Sequence, residues 1–111
     1  MFDANIVMLA KKSGRLITGD HAAEAAALAR QHGVSLHTHL AENTNDVAYS
    51  REKFNRTPAE YAEELGWVGR DVWHAHCVQL DDPGIDLFAR TGTGVAHCPC
   101  SNMRLASGIA P

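Results

Sequence analysis

The sequence predicts an α/β fold in which helices alternate with parallel strands. An alanine-rich stretch, residues 20–32, has the composition of a helix and is followed directly by a strand-like run. Two more short apolar runs follow downstream, and the polar stretches between the runs carry helix-capping residues. This alternation is typical of parallel strands joined by crossover helices. With 111 residues, the chain is long enough for one core and too short for two.

The first predicted unit is a helix followed by a strand. Asp20 can cap the helix, alanine is the best helix former, and Gly33 provides a C-terminal stop. Residues 34–39 contain β-branched side chains and are bounded by glycine, which favours a buried strand. The residues before this unit match the alternation of helices and strands poorly. The predicted organisation is therefore an atypical segment, residues 1–19, followed by one domain, residues 20–111.

The remaining elements follow from capping residues and breakers. Thr57 and Glu60 fit a capping box with Pro58 at the first helical position, and Asp82 precedes a second such proline. The predicted elements after the first strand are, in chain order, a helix over about 46–54, a helix ending at Gly66, a strand over 71–76, a helix from Asp82 to about Arg90 and a strand over 94–98.

Composition narrows the functional class. The hydrophobic fraction is 45% and the charged fraction is 21%, as in soluble globular proteins, and no apolar run approaches the roughly 20 residues that span a bilayer. A net charge of -3 without a basic cluster gives no reason to expect nucleic acid as a partner. An odd number of cysteines suits a reducing compartment. We expect a cytoplasmic protein that acts on a small molecule, with no nucleic-acid or membrane partner.

Each predicted strand brings a histidine to its carboxyl end. These residues are His39, His76 and His97, and Glu42 lies three positions after the first of them. Because ligands gather at the carboxyl ends of strands in parallel barrels and sheets, we expect these side chains to share one edge. A neutral imidazole is a good zinc ligand, and a carboxylate that does not bind the metal can move protons during hydrolysis. The pattern indicates a hydrolytic metal site.

The other histidines have simpler explanations. His21 and His32 lie on a solvated helix and are assigned no role. His37 and His74 each lie two positions before a histidine of the predicted edge and should share its strand face. Both are expected one layer below the edge, where they would make supporting hydrogen bonds. A lone histidine in a strand is more often an ordinary core residue than a ligand, so the common edge is what favours a site.

Two of the cysteines partly match the sequence pattern of a different kind of zinc site. Cys98 and Cys100 are separated only by Pro99. The zinc deaminases that carry Pro-Cys-x-x-Cys need two residues between the cysteines, and also a His-x-Glu triplet, which this chain lacks. That class is rejected, and all three cysteines are predicted to be small buried hydrophobic residues.

Four motifs carry a family resemblance. They are HTHLAE at residues 37–42, AHCV at residues 75–78, GVAHCPCSN at residues 94–102 and LASGIAP at residues 105–111. Together they resemble the amidohydrolase superfamily, in particular its aminohydrolase and triazine-hydrolase branch of metal-dependent (β/α)8 barrels. The resemblance covers residues 20–111. Within the branch, the cysteine after His76 and residues 91–99 are most similar to the 8-oxoguanine deaminases.

The resemblance implies a role for each residue of the predicted edge. His39 would bind zinc, and Glu42 would carry a proton from the attacking water to a ring nitrogen. His76 would orient the water or polarise the substrate. His97 and Asn102 would bind the substrate by shaping its pocket. The reaction implied is zinc-dependent hydrolytic deamination of a purine-like heterocycle such as 8-oxoguanine.

The resemblance also implies a partial (β/α)8 TIM barrel that covers strands five to seven. The family needs a His-x-His pair on the first strand and an aspartate on the eighth, and neither segment is in the sequence. A complete barrel takes about 250 residues. We therefore expect the chain alone to bind zinc weakly and to be inactive. Two alternatives stay open: a non-catalytic fragment that self-associates through open sheet edges, and a triazine amino- or chlorohydrolase.

Overall fold

The computed structural model describes residues 19–111, with side chains from His21 onward. The predicted atypical segment lies outside the described residues except for its last position, and the division at residue 20 stays a prediction. The described elements are α1 Gly19–Gln31, β1 Leu36–Leu40, α2 Thr44–Phe54, α3 Pro58–Glu64, β2 Val72–His76, α4 Asp82–Thr91, β3 Gly94–Ala96 and α5 Pro99–Arg104. None of these helices is long and apolar enough to cross a bilayer, and the cytoplasmic location stays a prediction.

The three strands form one parallel sheet in the order β1-β2-β3. Leu36 at the start of β1 lies beside Val72 at the start of β2, and Trp73 lies beside Gly94 in β3. Neighbouring strands are connected through one or two helices, so their carboxyl ends meet at one edge. The predicted alternation of helices and parallel strands is confirmed.

Reciprocal capping boxes define where α2 and α3 begin. At α2, the Asn43 side chain accepts a hydrogen bond from the backbone N–H of Asp46, whose carboxylate accepts one from the backbone N–H of Asn43. At α3, Thr57 and Glu60 form the same reciprocal pair, as predicted. These local bonds satisfy N–H groups that have no partner inside the helix.

Several boundaries differ from the predicted ones, although α4 begins at Asp82 as predicted, with Asp81 as its capping residue. Helix α1 begins at Gly19, so Asp20 lies within its first turn and not at its cap. The third strand ends at Ala96, because Cys98 is already the N-cap of α5, a short helix that was not predicted.

Helices α1, α3 and α4 pack against one face of the sheet. Leu36 and Val72 point to that side and are buried. They belong to a cluster with Ala26, Ala29, Ala62 and Trp67. A second cluster beneath α4 consists of Ala59, Cys77, Leu87 and Phe88. Burial of these apolar side chains holds the strands in place behind the edge that carries the site.

The described part of the chain leaves the opposite face of the sheet open. His37, His39 and Trp73 lie on that face, and His39 and Trp73 are exposed. Parallel sheets are normally covered on both faces, or closed into a barrel whose interior such a face would line. Packing on one side agrees with a partial barrel. Self-association through open sheet edges stays a prediction.

Candidate functional site

Glu42 is positioned by the turn that ends β1. Ala41 adopts a left-handed conformation with φ 49°. Its carbonyl accepts a hydrogen bond from the backbone N–H of Gln79 at 2.8 Å, and the backbone N–H of Glu42 donates to the Asp46 carboxylate at 2.9 Å. The cap of α2 therefore also fixes the main chain of Glu42. Its side chain, 20% exposed, stands at the carboxyl edge of the sheet.

His76 reaches the same edge through a strained turn. His76 and Cys77 have φ of 74° and 52°, both in the left-handed region. The Cys77 N–H donates to the Ala75 carbonyl at 3.1 Å, which closes a γ-turn around His76. Regular alternation would place His76 beside His74, whereas its ring centroid lies 4.8 Å from that of His39. Such conformations cost about 1–3 kcal/mol each and concentrate at functional sites.

His39, Glu42 and His76 form one compact group of possible metal ligands. Their nearest ligand atoms all lie within 4.8 Å of one another, and Nε2 of His76 is 3.6 Å from Oε1 of Glu42. Two imidazoles and a carboxylate are a donor set that zinc accepts. The carboxylate and the two imidazoles are therefore close enough to act on one ion or on one water molecule.

Asn102 approaches His76 from the far end of the chain. Its Oδ1 lies 2.9 Å from Nδ1 of His76, and the Asn102 side chain is 1% exposed. The predicted role of Asn102 in substrate binding stays a prediction. The contact that the structure describes is with the imidazole.

His37 and His74 lie on opposite sides of the sheet. His37 stays on the open face and stacks on Trp73, with ring centroids 5.1 Å apart. His74 is fully buried on the helix side, where its Nε2 lies 2.9 Å from the Trp67 carbonyl oxygen and its ring stacks on Phe88. The prediction that His74 lies one layer below the edge beside His76 is wrong. The side chains of His74 and His76 differ in direction because the left-handed turn at His76 interrupts the regular alternation of the strand.

His97 is exposed directly after β3. Within residues 19–111, it does not belong to the group formed by His39, Glu42 and His76. A position at the rim of the same edge follows from the parallel register of β2 and β3. Its predicted contact with substrate stays a prediction.

The three cysteines differ in their surroundings. Cys77 is buried, and this burial, with a smaller effect from nearby Cys98, raises the pKa of its thiol to about 11. Cys98 is half-buried and Cys100 is exposed. The prediction of small buried hydrophobic residues therefore holds for Cys77 and is wrong for Cys100.

This combination of parallel strands, edge histidines and a glutamate agrees with the match of the sequence to one known family. The profile of the amidohydrolase family matches residues 3–111. The chain belongs to the amidohydrolase family. Its sequence motifs had indicated that resemblance, and the family prediction is confirmed.

This amidohydrolase chain is similar to several deaminases. It is 50% identical over 90 residues to an isoxanthopterin deaminase from an unknown prokaryotic organism, which covers 79% of the chain and 18% of that protein. It is 38% identical over 105 residues to the 8-oxoguanine deaminase of Pseudomonas aeruginosa, and this match covers 95% of the chain and 23% of that deaminase. A crystal structure of an adenosine deaminase from Xanthomonas campestris with bound zinc matches with a TM-score of 0.82 and 33% identity, over 85% of the chain and 21% of that protein.

The extent of these matches agrees with the predicted partial barrel. The amidohydrolase chain spans about a fifth of the length of these relatives. The close structural match nevertheless covers most of the chain. The prediction of a partial (β/α)8 barrel with alternating helices and parallel strands is confirmed.

Some contacts that build the site leave no clear signal in the sequence of this amidohydrolase chain. The γ-turn at His76 involves no glycine, so nothing marks it. The contact between Asn102 and His76 joins positions 26 residues apart. Asp46, by contrast, could have been found from its position three residues after Asn43, which is the spacing of a capping box.

Proposed function

We propose that this segment supplies the carboxyl-edge part of the active site in a zinc-dependent enzyme that hydrolytically deaminates a purine-like heterocycle. The convergence of His39, Glu42 and His76 at one edge supports the proposal most strongly. Membership of the amidohydrolase family and the similarity to deaminases add to it. Activity belongs to the complete barrel, because one strand-end group does not enclose a substrate.

In this proposal, His39 would be the zinc ligand contributed by the segment. Its imidazole lies within the spacing that allows a shared ion with Glu42 and His76, and the donor types fit zinc. A bound zinc ion supplies Lewis acidity, which makes water a nucleophile near neutral pH. The remaining ligands would come from other strands of the barrel.

Glu42 would move the protons of the reaction. Its carboxylate takes a proton from the attacking water as the water oxygen forms a bond to the ring carbon, and then delivers the proton to the neighbouring ring nitrogen. A second proton from the added hydroxyl goes to the amino group, the C–N bond breaks, and ammonia leaves as the ring carbonyl forms. The hydrogen bond from the Glu42 backbone N–H to Asp46 fixes the main chain from which this carboxylate extends.

His76 would orient the attacking water by accepting a hydrogen bond at Nε2, which faces Glu42 at 3.6 Å. His97 is proposed to contact the substrate from the exposed rim. Asn102 is buried and would influence the substrate pocket through His76.

The proposed substrate class is a nitrogen heterocycle with an amino group on a ring carbon. 8-Oxoguanine is the specific proposal from the sequence motifs, and the relative of that name matches over almost the whole chain. Isoxanthopterin shares the amino-substituted ring, and the relative named for it is more similar over fewer residues. A triazine with an alkylamine or chloride leaving group is the alternative that keeps the same site.

A chimera tests this proposal. The segment would replace its matching part in the 8-oxoguanine deaminase of Pseudomonas aeruginosa, and ammonia release would be measured with 8-oxoguanine, isoxanthopterin, adenosine and a chlorotriazine. We expect ammonia from at least one amino-substituted purine-like compound. A folded, zinc-loaded chimera that releases none, while the unmodified deaminase is active in the same assay, would contradict the proposal. Chloride release from the triazine alone would favour the alternative.

A further inference from the structure

The hydrogen bond between Asn102 and His76 is shielded from solvent. Asn102 is 1% exposed and His76 is 5% exposed, and Nδ1 of the imidazole lies 2.9 Å from Oδ1 of the amide. An amide oxygen only accepts hydrogen bonds, so the ring nitrogen that faces it must carry the hydrogen. Water cannot readily replace either partner at such burial.

The second ring nitrogen of His76 faces the group of possible metal ligands. Its Nε2 is 3.6 Å from Oε1 of Glu42, which is longer than a hydrogen bond, so no hydrogen bond between these two atoms fixes a proton on Nε2. A proton at that position would also point towards the space shared with His39. A lone pair there can instead accept a hydrogen bond from water or bind a cation.

We infer that Asn102 is a positioning residue that fixes the Nδ1–H tautomer of His76 and thereby presents an Nε2 lone pair to the site. The inference goes beyond the proposed function, because it concerns the protonation of this imidazole whatever the substrate. Groups that orient a site histidine in this way typically change metal affinity or activity by about 10- to 100-fold when removed.

The backbone around Asn102 supports such a role. Its N–H donates to the Cys98 carbonyl and its own carbonyl accepts from the Ser107 N–H, both at 2.9 Å. The residue is therefore anchored on both sides, and its side chain has little freedom to leave His76. Asn102 lies on α5, which begins three positions after the last residue of β3.

The orientation of the Asn102 amide and the tautomer of the His76 imidazole depend on each other. Nδ2 of Asn102 is buried and has no hydrogen-bond partner among the described residues. Rotating the amide would let Nδ2 donate to Nδ1 of His76, but it would leave Oδ1 without that partner and force the proton onto Nε2. Each orientation of the amide therefore leaves one buried amide atom without a hydrogen-bond partner, so this cost does not distinguish the two orientations. In the structure Oδ1 is the amide atom that faces Nδ1 at 2.9 Å, and this orientation corresponds to the Nδ1–H form.

Imidazole nitrogen shifts in the 111-residue chain test the inference directly. Long-range ¹H–¹⁵N spectra would be recorded without metal above about pH 8, where imidazole is neutral, and His76→Gln would assign the signals. We expect a protonated Nδ1 and an unprotonated Nε2 for His76. Asn102→Asp, which keeps an acceptor oxygen, should preserve this pattern, whereas Asn102→Leu should move the main population to Nε2–H. Met103→Leu, an exposed change on the same helix, should leave it unaltered.

Two results would overturn the inference. The first is an Nε2–H tautomer of His76 in the unmodified chain, which needs no variant to fold. The second is an unchanged Nδ1–H pattern in a folded Asn102→Leu variant. Because the spectra report protonation and not turnover, either result would leave the deamination proposal to be judged by the ammonia assay.

Discussion

Glu42→Gln is expected to lower the deamination rate of the chimeric barrel by about 10²- to 10⁴-fold, the usual contribution of a general acid–base group. Glutamine has nearly the same shape but cannot take a proton from water at neutral pH. The backbone bond from residue 42 to Asp46 does not involve the replaced carboxylate, so the turn should keep its geometry. The variant should therefore still fold and hold zinc.

The measurement is ammonia release by the chimera and its Glu42→Gln variant at saturating substrate, with zinc per protein determined in the same samples. Glu63→Gln, on the exposed side of α3, is the matched control and should retain full activity. Undiminished turnover in Glu42→Gln would remove this residue from the mechanism. Loss of zinc together with activity would indicate a structural or ligand role instead.

Below about pH 6.5, the chain is expected to lose stability more steeply than a variant that lacks His74. Burial lowers the pKa of His74 in the folded chain from its ordinary value of 6.5; the hydrogen bond with the Trp67 carbonyl opposes this, and nearby His37 adds to the lowering. The unfolded chain therefore binds a proton at this position that the folded chain does not. The stability linked to His74 is complete above about pH 6.5 and is lost as the pH falls towards the lower folded pKa.

Urea unfolding between about pH 7.5 and about pH 5.5 measures this effect, with a maximum slope of about 1.4 kcal/mol per pH unit from one group. His74→Gln removes the titrating group and should give a shallower loss of the free energy of unfolding with falling pH, whatever its stability at pH 7.5. His32→Gln, an exposed change after α1, should keep the original slope. An identical slope in the chain and in His74→Gln would show that His74 does not control this pH dependence.

The parts of the fold that depend on local signals were predictable. Thr57 and Glu60 form their capping box because both partners lie within one helical turn, and alanine content alone identifies α1. The parallel arrangement follows from helices placed between strands. It brings His39 and His76 to the same edge, which is why the candidate site could be proposed before its geometry was known.

The details of the site depend on features that alternation rules do not describe. A two-residue period assigns His74 and His76 to one face, and the left-handed φ of His76 reverses that assignment. The burial of Asn102 depends on a helix, α5, that begins with Cys98 as a cap without a side-chain hydrogen bond and so lacks a capping signature. Such strained and long-range contacts are set by the assembled fold and not by local sequence.

Zinc titration of the 111-residue chain, followed through the imidazole signals of its histidines, tests most directly whether His39 and His76 belong to one metal centre. We predict that the signals of His39 and His76 shift together along one saturation curve, while exposed His32 does not follow it. Binding is expected to be weak, because a catalytic zinc site normally needs at least three protein ligands. Unchanged signals of His39 and His76 at zinc concentrations that shift His32 would contradict a shared metal centre at this edge of the sheet.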